Sequence, residues 1–203
     1  MERLSRKTVL FSPQVPFRPD RWPLFYGYVV VVAGVIGTLA SIPGQTTGVG
    51  PFKEDLMAAL ALTDVQISLA YMIGTAASGF ILPFFGSLYD RVGARPLAVG
   101  TFLAFGASLL YMGSVDTIAA SLPGATWALV LITLGYFLIR FLGQGMLTMV
   151  ARTMMLKWFN RRRGIVTATG GAFITVGFSS APLTLEMIID AIGWRETYWL
   201  LGV

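Results

Sequence analysis

Uncharged apolar runs alternate with short charged connections along the whole chain. Residues 22–52 hold no charged side chain, nor do 65–89, 96–115 or 164–185, and 126–151 is interrupted only by Arg140. The first run would be roughly 46 Å long as one helix, against a hydrocarbon core of about 30 Å. Nothing alternates with the period of two that a half-buried strand requires, and the runs are too long for core strands. The pattern predicts transmembrane helices over about 23–50, 65–89, 96–115, 125–152 and 164–187, with 195–203 too short to cross. Pro43-Gly44 and the stretch Gly48 to Pro51 predict a tilt, kink or protrusion at the far end of the first helix. Small residues in GTAASG (74–79) and ATGGA (168–172) suit close helix–helix contact in lipid.

Composition sharpens this into an all-α membrane protein. Of 203 residues, 55% are hydrophobic and 12% charged, and the mean hydropathy is +0.71; a soluble domain carries about twice that charge. The lipid bilayer is then the chain's main partner. Cysteine and histidine are absent, which removes disulfides, histidine-ligated haem, cysteine-ligated zinc and Ser-His or Cys-His nucleophiles. No cofactor is expected, and an enzyme is not.

Charge placement gives a direction. Twelve of the fifteen basic residues fall at the N-terminus, at 90–95 and at 152–163; Lys53 and Arg195 lie on the opposite side, and Arg140 within a span. A positive-inside bias explains this better than nucleic-acid binding does. Residues 1–22 are expected to be a cytoplasmic segment, and the bundle of 23–203 to sit in the plasma (inner) membrane. The first apolar run far exceeds the ~7–15 residues of a signal h-region, so a retained first span is expected rather than a secretory leader.

The stretch GSLYDRVGARP (86–96) then falls in the cytoplasmic turn between the second and third spans. Asp90 sits at the C-terminus of its own helix, where an acid opposes the helix dipole. It becomes favourable facing an arginine or another helix's N-terminus across a close contact at Gly86, as half of a latch. The stretch resembles the loop motif G-x-L-x-D-R-x-G-R-R of the major facilitator superfamily: Gly86, Leu88, Asp90, Arg91, Gly93 and Arg95 match, while Ala94 and Pro96 depart from it. RFLGQG (140–145) is similar to the family's fourth-helix arginine followed by small residues. KWFNRRRGIVTATGG (157–171) resembles the W-F-x-x-R-R-G-x-A-x-G entry to helix five of monocarboxylate and oxalate/formate carriers, through Trp158, Phe159, Arg162, Arg163 and Gly164, with Val166 and Ala168 in place of alanine and glycine. GWRETYW (193–199) resembles the entry to helix six.

The resemblance implies the N-terminal six-helix half of a twelve-helix fold, with the sixth helix truncated and a C-terminal half of the same protein as missing partner. It implies a secondary active transporter moving a small solute, such as a monocarboxylate, by alternating access, with the latch stabilising the outward-facing state. Residues 1–203 alone are then expected not to transport. The alternatives are a non-transporting receptor or assembly module, or an inactive fragment.

Arg140 is the one charge deep in a span, about 21 Å from the start of its helix at Thr126. A cation there is functional by default and suits an anionic solute, whose carboxylate a guanidinium binds bidentately. It equally suits a structural tie to backbone carbonyls of the first helix. Gln45, Thr46 and Thr47 beside the Pro43-Gly44 break are candidate substrate contacts, or polar caps of a helix end. Tyr71 and Gln144 are further candidates that also fit helix–helix hydrogen bonding. Trp22, Trp158, Trp194 and Trp199 read as interfacial anchors.

Overall fold

A computed structural model describes residues 25–123, 126–159 and 163–203. The expected segment 1–22, Trp22 and Arg162 lie outside these. Among the described residues, regular structure is entirely helical. Four helices are long and apolar enough to cross a membrane: Asp64–Val92 (α3), Ala94–Gly113 (α4), the continuous Thr126–Trp158, and Arg163–Ile192 (α8). The third is composite. It runs as α6 (Thr126–Ile139), a π-helical stretch Arg140–Leu147 and α7 (Thr148–Trp158). Shorter helices are α1 (Gly27–Ala40), α2 (Lys53–Leu60), α5 (Val115–Ala120) and α9 (Trp194–Gly202).

The first apolar stretch, expected as a span over 23–50 with an irregularity at Pro43-Gly44, is not one continuous α-helix. α1 stops at Ala40 after 14 residues, about 21 Å at helical rise. Pro43 supplies no backbone donor, and a 3-10 turn Ile42–Gly44 replaces the α-ladder. Gln45 is extended (φ −86°, ψ 162°), and only one short turn, Thr46–Val49, follows before the chain turns again at Gly50–Phe52. The break is kept open by a close crossing: a methyl on Gly44 would collide with the Ile139 carbonyl, and one on Gly143 would stand 2.7 Å from the Phe105 ring. Glycine at both positions lets the break pass against the π-helical stretch.

α3 begins in a capping box, in which Thr63 Oγ1 accepts from the Gln66 N–H and Gln66 Oε1 accepts from the Thr63 N–H. It extends past the apolar run 65–89 to Val92, because the stop signal is Gly93 at φ +91°. Gly193, also at φ +91°, ends α8 in the same way.

α3 packs on α6, α4 on α9, and α1 on α7 and α8. One core gathers Phe52, Leu56, Ile67, Leu109, Met112, Ile132, Tyr136 and Tyr198; a smaller one, at the Asp90 end, gathers Tyr89, Leu97, Phe141, Met146 and Val150. Of the two glycines in GTAASG, Gly74 makes a close approach to the α6 backbone, where a methyl would lie 3.1 Å from the Thr133 oxygen, and Gly79 faces open space. In ATGGA, a methyl on Gly170 would just touch Val35, while Gly171 faces open space. α3 and α8 bury least of their apolar windows, 17% and 11%, against 44% for Thr126–Trp158. Few residues of those two helices are fully buried in the described structure.

Candidate functional site

Arg140 is 6% exposed and lies where the broken first helix crosses the π-helical stretch. Its Nη1 donates to the Gly44 carbonyl oxygen at 3.3 Å and to Thr46 Oγ1 at 3.2 Å, while Nε donates to Thr75 Oγ1 at 3.2 Å. The Tyr71 ring lies beneath the guanidinium, 5.2 Å from Cζ to the ring centroid. The Pro43 break frees the Gly44 carbonyl from the helix ladder, so a guanidinium can take it. That carbonyl belongs to the 3-10 turn that follows α1.

Thr46, Tyr71 and Arg140 form one cluster, since Tyr71 Oη donates to Thr46 Oγ1 at 3.3 Å. Gln45 stands apart from it. Its Nε2 donates to Ser41 Oγ (2.9 Å) and Thr148 Oγ1 (3.2 Å), so it staples the break to the start of α7. Thr47 Oγ1 is buried without a hydrogen-bond partner, and Gln144 is exposed. Thr75 and Thr148 were not singled out from the sequence. Each is an ordinary polar residue of an apolar run, and only the crossing of helices distant in sequence gives it a partner.

Beside the cluster lies a cavity of about 210 Å³ lined by Thr46, Lys53, Ser68, Tyr71, Tyr136 and neighbouring apolar side chains. Tyr136 is 1% exposed and meets the Tyr71 ring edge to face at 5.4 Å. Lys53, at the cavity's rim, is ion-paired with Asp64. No carboxylate contacts Arg140 among the described residues.

At the far end of α3, Asp90 Oδ1 pairs at 3.3 Å with Lys157 Nζ, which also lies 4.4 Å from the Tyr89 ring centroid. The partner is a lysine of α7 rather than an arginine. The close contact expected at Gly86 is absent among the described residues: a methyl there would meet nothing within 4 Å. Leu88 packs on the smaller core, and Arg91 and Arg95 are exposed. Trp158 and Phe159 pack their rings against Tyr26 and Phe25 at the start of α1, and Arg163 Nε donates to the Phe159 carbonyl at 2.6 Å. Gly164 borders open space.

At the opposite end of the bundle, Arg195 pairs with Asp116 through both Nε and Nη2 and lies 4.5 Å from the Trp194 ring centroid. Burial pushes the Asp116 carboxyl up, but hydrogen bonds from Arg195 and the Thr117 backbone, with the Arg195 charge, outweigh it. The net result lies below the usual carboxylate range.

Residues 34–203 match the Major Facilitator Superfamily. The chain belongs to that superfamily. No curated protein and no solved structure matches it. The superfamily is made up of membrane transporters, not enzymes, and the four apolar helices agree with an integral membrane transport protein.

Proposed function

We propose that these helices act as the N-terminal half of a twelve-helix secondary transporter that carries a small organic anion by alternating access, with the solute bound beside Arg140, Thr46 and Tyr71. One observation carries the reading: the cluster has more hydrogen-bond donors than acceptors. A guanidinium has five N–H groups. Three are used, and both on Nη2 have no acceptor among the described residues. Tyr71 and Thr46 share one hydrogen bond between two hydroxyls, so one hydroxyl proton is left over whichever way that bond runs. A site rich in spare donors, with a buried cation and no acid, suits a ligand that only accepts: a carboxylate.

The likeness of 157–171 to carboxylate carriers supports a monocarboxylate. With Nε and Nη1 committed, the carboxylate reaches Nη2 alone, and a bidentate grip requires release of Thr75 or of the helix-one break. In this reading the uncovered faces of α3 and α8 meet a second half, the Asp90 loop contributes to the latch, and the Asp90 end is cytoplasmic in the plasma membrane.

Flux into proteoliposomes by the full-length protein tests the proposal. Saturable uptake of a labelled carboxylate, competed by other carboxylates and not by amines or neutral sugars, is expected. Arg140→Lys keeps the charge but loses the guanidinium geometry, and should abolish uptake in a protein that still inserts. A solute that proves neutral or cationic overturns the anion assignment.

A further inference from the structure

Thr75 departs from a bonding pattern that several threonines in this bundle share. On a membrane helix a threonine hydroxyl ordinarily donates to the carbonyl three or four residues back. Thr38, Thr133, Thr167, Thr169, Thr175 and Thr184 all do so, at 2.6–3.1 Å. Thr75 Oγ1 makes no such bond; instead it accepts from Arg140 Nε at 3.2 Å. A guanidinium N–H aimed at the oxygen turns the hydroxyl proton away from the cation. That proton then has no acceptor among the described residues.

Position gives it a use. Thr75 stands one helical turn from Tyr71 on the same face of α3, is half-buried, and meets the guanidinium at Nε whereas Thr46 meets it at Nη1. Its proton, polarised by the charge behind its oxygen, is therefore presented beside the free Nη2 edge.

We propose that Thr75 is a specificity-determining residue, whose hydroxyl donates to the bound anion alongside Arg140 Nη2. This rests on the anion reading of the Arg140 site and adds a contact from α3. It predicts that the site selects ligands with two acceptor oxygens on one carbon over ligands with one. One oxygen then takes Nη2 and the other takes Thr75.

The test is calorimetric titration of the purified full-length protein with sodium formate, acetate, lactate and benzoate, against sodium chloride at equal ionic strength, with acetamide as the single-oxygen probe. Thr75→Val removes the donor at nearly constant shape, and Thr75→Ser retains it. A lost hydrogen bond to a charged ligand is worth about tenfold or more in affinity. Thr75→Val should therefore weaken carboxylate binding at least tenfold and leave acetamide binding unchanged, while Thr75→Ser stays within about threefold of wild type. Melting without ligand is measured on each variant, with Thr75→Ala as a second variant should Thr75→Val fail to fold. A purely structural threonine would lower the ligand-free melting temperature and weaken both probes together, which overturns the proposal. Carboxylate affinity unchanged in Thr75→Val but lost in Arg140→Lys also overturns it, while sparing the anion reading. No carboxylate binding by the wild type overturns both.

Discussion

Asp116 is 13% exposed at its side chain, and the Arg195 guanidinium with the Thr117 backbone holds its carboxyl below the usual range in spite of burial. A carboxyl with a depressed folded-state pKa contributes stability that is present above its unfolded value and is lost as pH falls through the folded one. The melting temperature of purified protein should therefore drop between pH 5 and lower values, and Asp116→Asn should flatten that drop while lowering stability at pH 7. Equal wild-type and Asp116→Asn melting curves at pH 7 would show the pair to be inert. The same scale explains why Asp90 differs. Its lysine partner is reached with both side chains largely exposed, 75% and 57%, and an exposed pair is worth about 0–1 kcal/mol. The Asp90 pair is therefore weak and solvated, whereas the Asp116 carboxylate is largely shielded from solvent.

Single glycines decide where helices stop. Gly93 sits at φ +91°, ψ 166°, a region essentially closed to other residues. Gly93→Ala should cost about 1–3 kcal/mol, seen as a lower melting temperature, whereas Gly86→Ala, with open space around it, should be nearly silent. Of the loop motif's two glycines, Gly93 is therefore held by its backbone conformation, and Gly86 is not constrained by any close contact among the described residues. The sequence made the long helices legible because an apolar run of span length has few alternatives to a helix in lipid. It also pointed to Pro43-Gly44 as an irregularity, and to Arg140 as a charge that needs partners. Which partners was not legible: Gly44, Thr46 and Thr75 lie 96, 94 and 65 residues from Arg140, and no local periodicity encodes so distant a crossing. The π-helical stretch escaped for a related reason, since RFLGQGML carries no residue that forbids an ordinary helix turn.

Across the whole molecule, twelve basic residues against two predict that the Asp90 end faces the cytoplasm. Because the chain has no cysteine, single substitutions report cleanly. Arg91→Cys should react with an impermeant maleimide only after the membrane is opened, and Ser121→Cys should react from outside in sealed cells; the reverse pattern would invert the topology. The composite helix Thr126–Trp158 ties this architecture together. α6 packs on α3, but α7 packs on α1, so one rod serves two neighbours on different sides. A wide i→i+5 turn holds one residue more than an α-turn, and one residue is about 100° of helical rotation. The π-helical stretch is thus a phase shift between two binding faces, with Arg140 at its first residue and Thr148 immediately after its last. A helix in this arrangement has a forbidden length change: losing or gaining one residue between 140 and 147 would re-aim either the α3 face or the α1 face. A substitution at the exposed Gln144 leaves that phase intact, but an insertion or deletion does not.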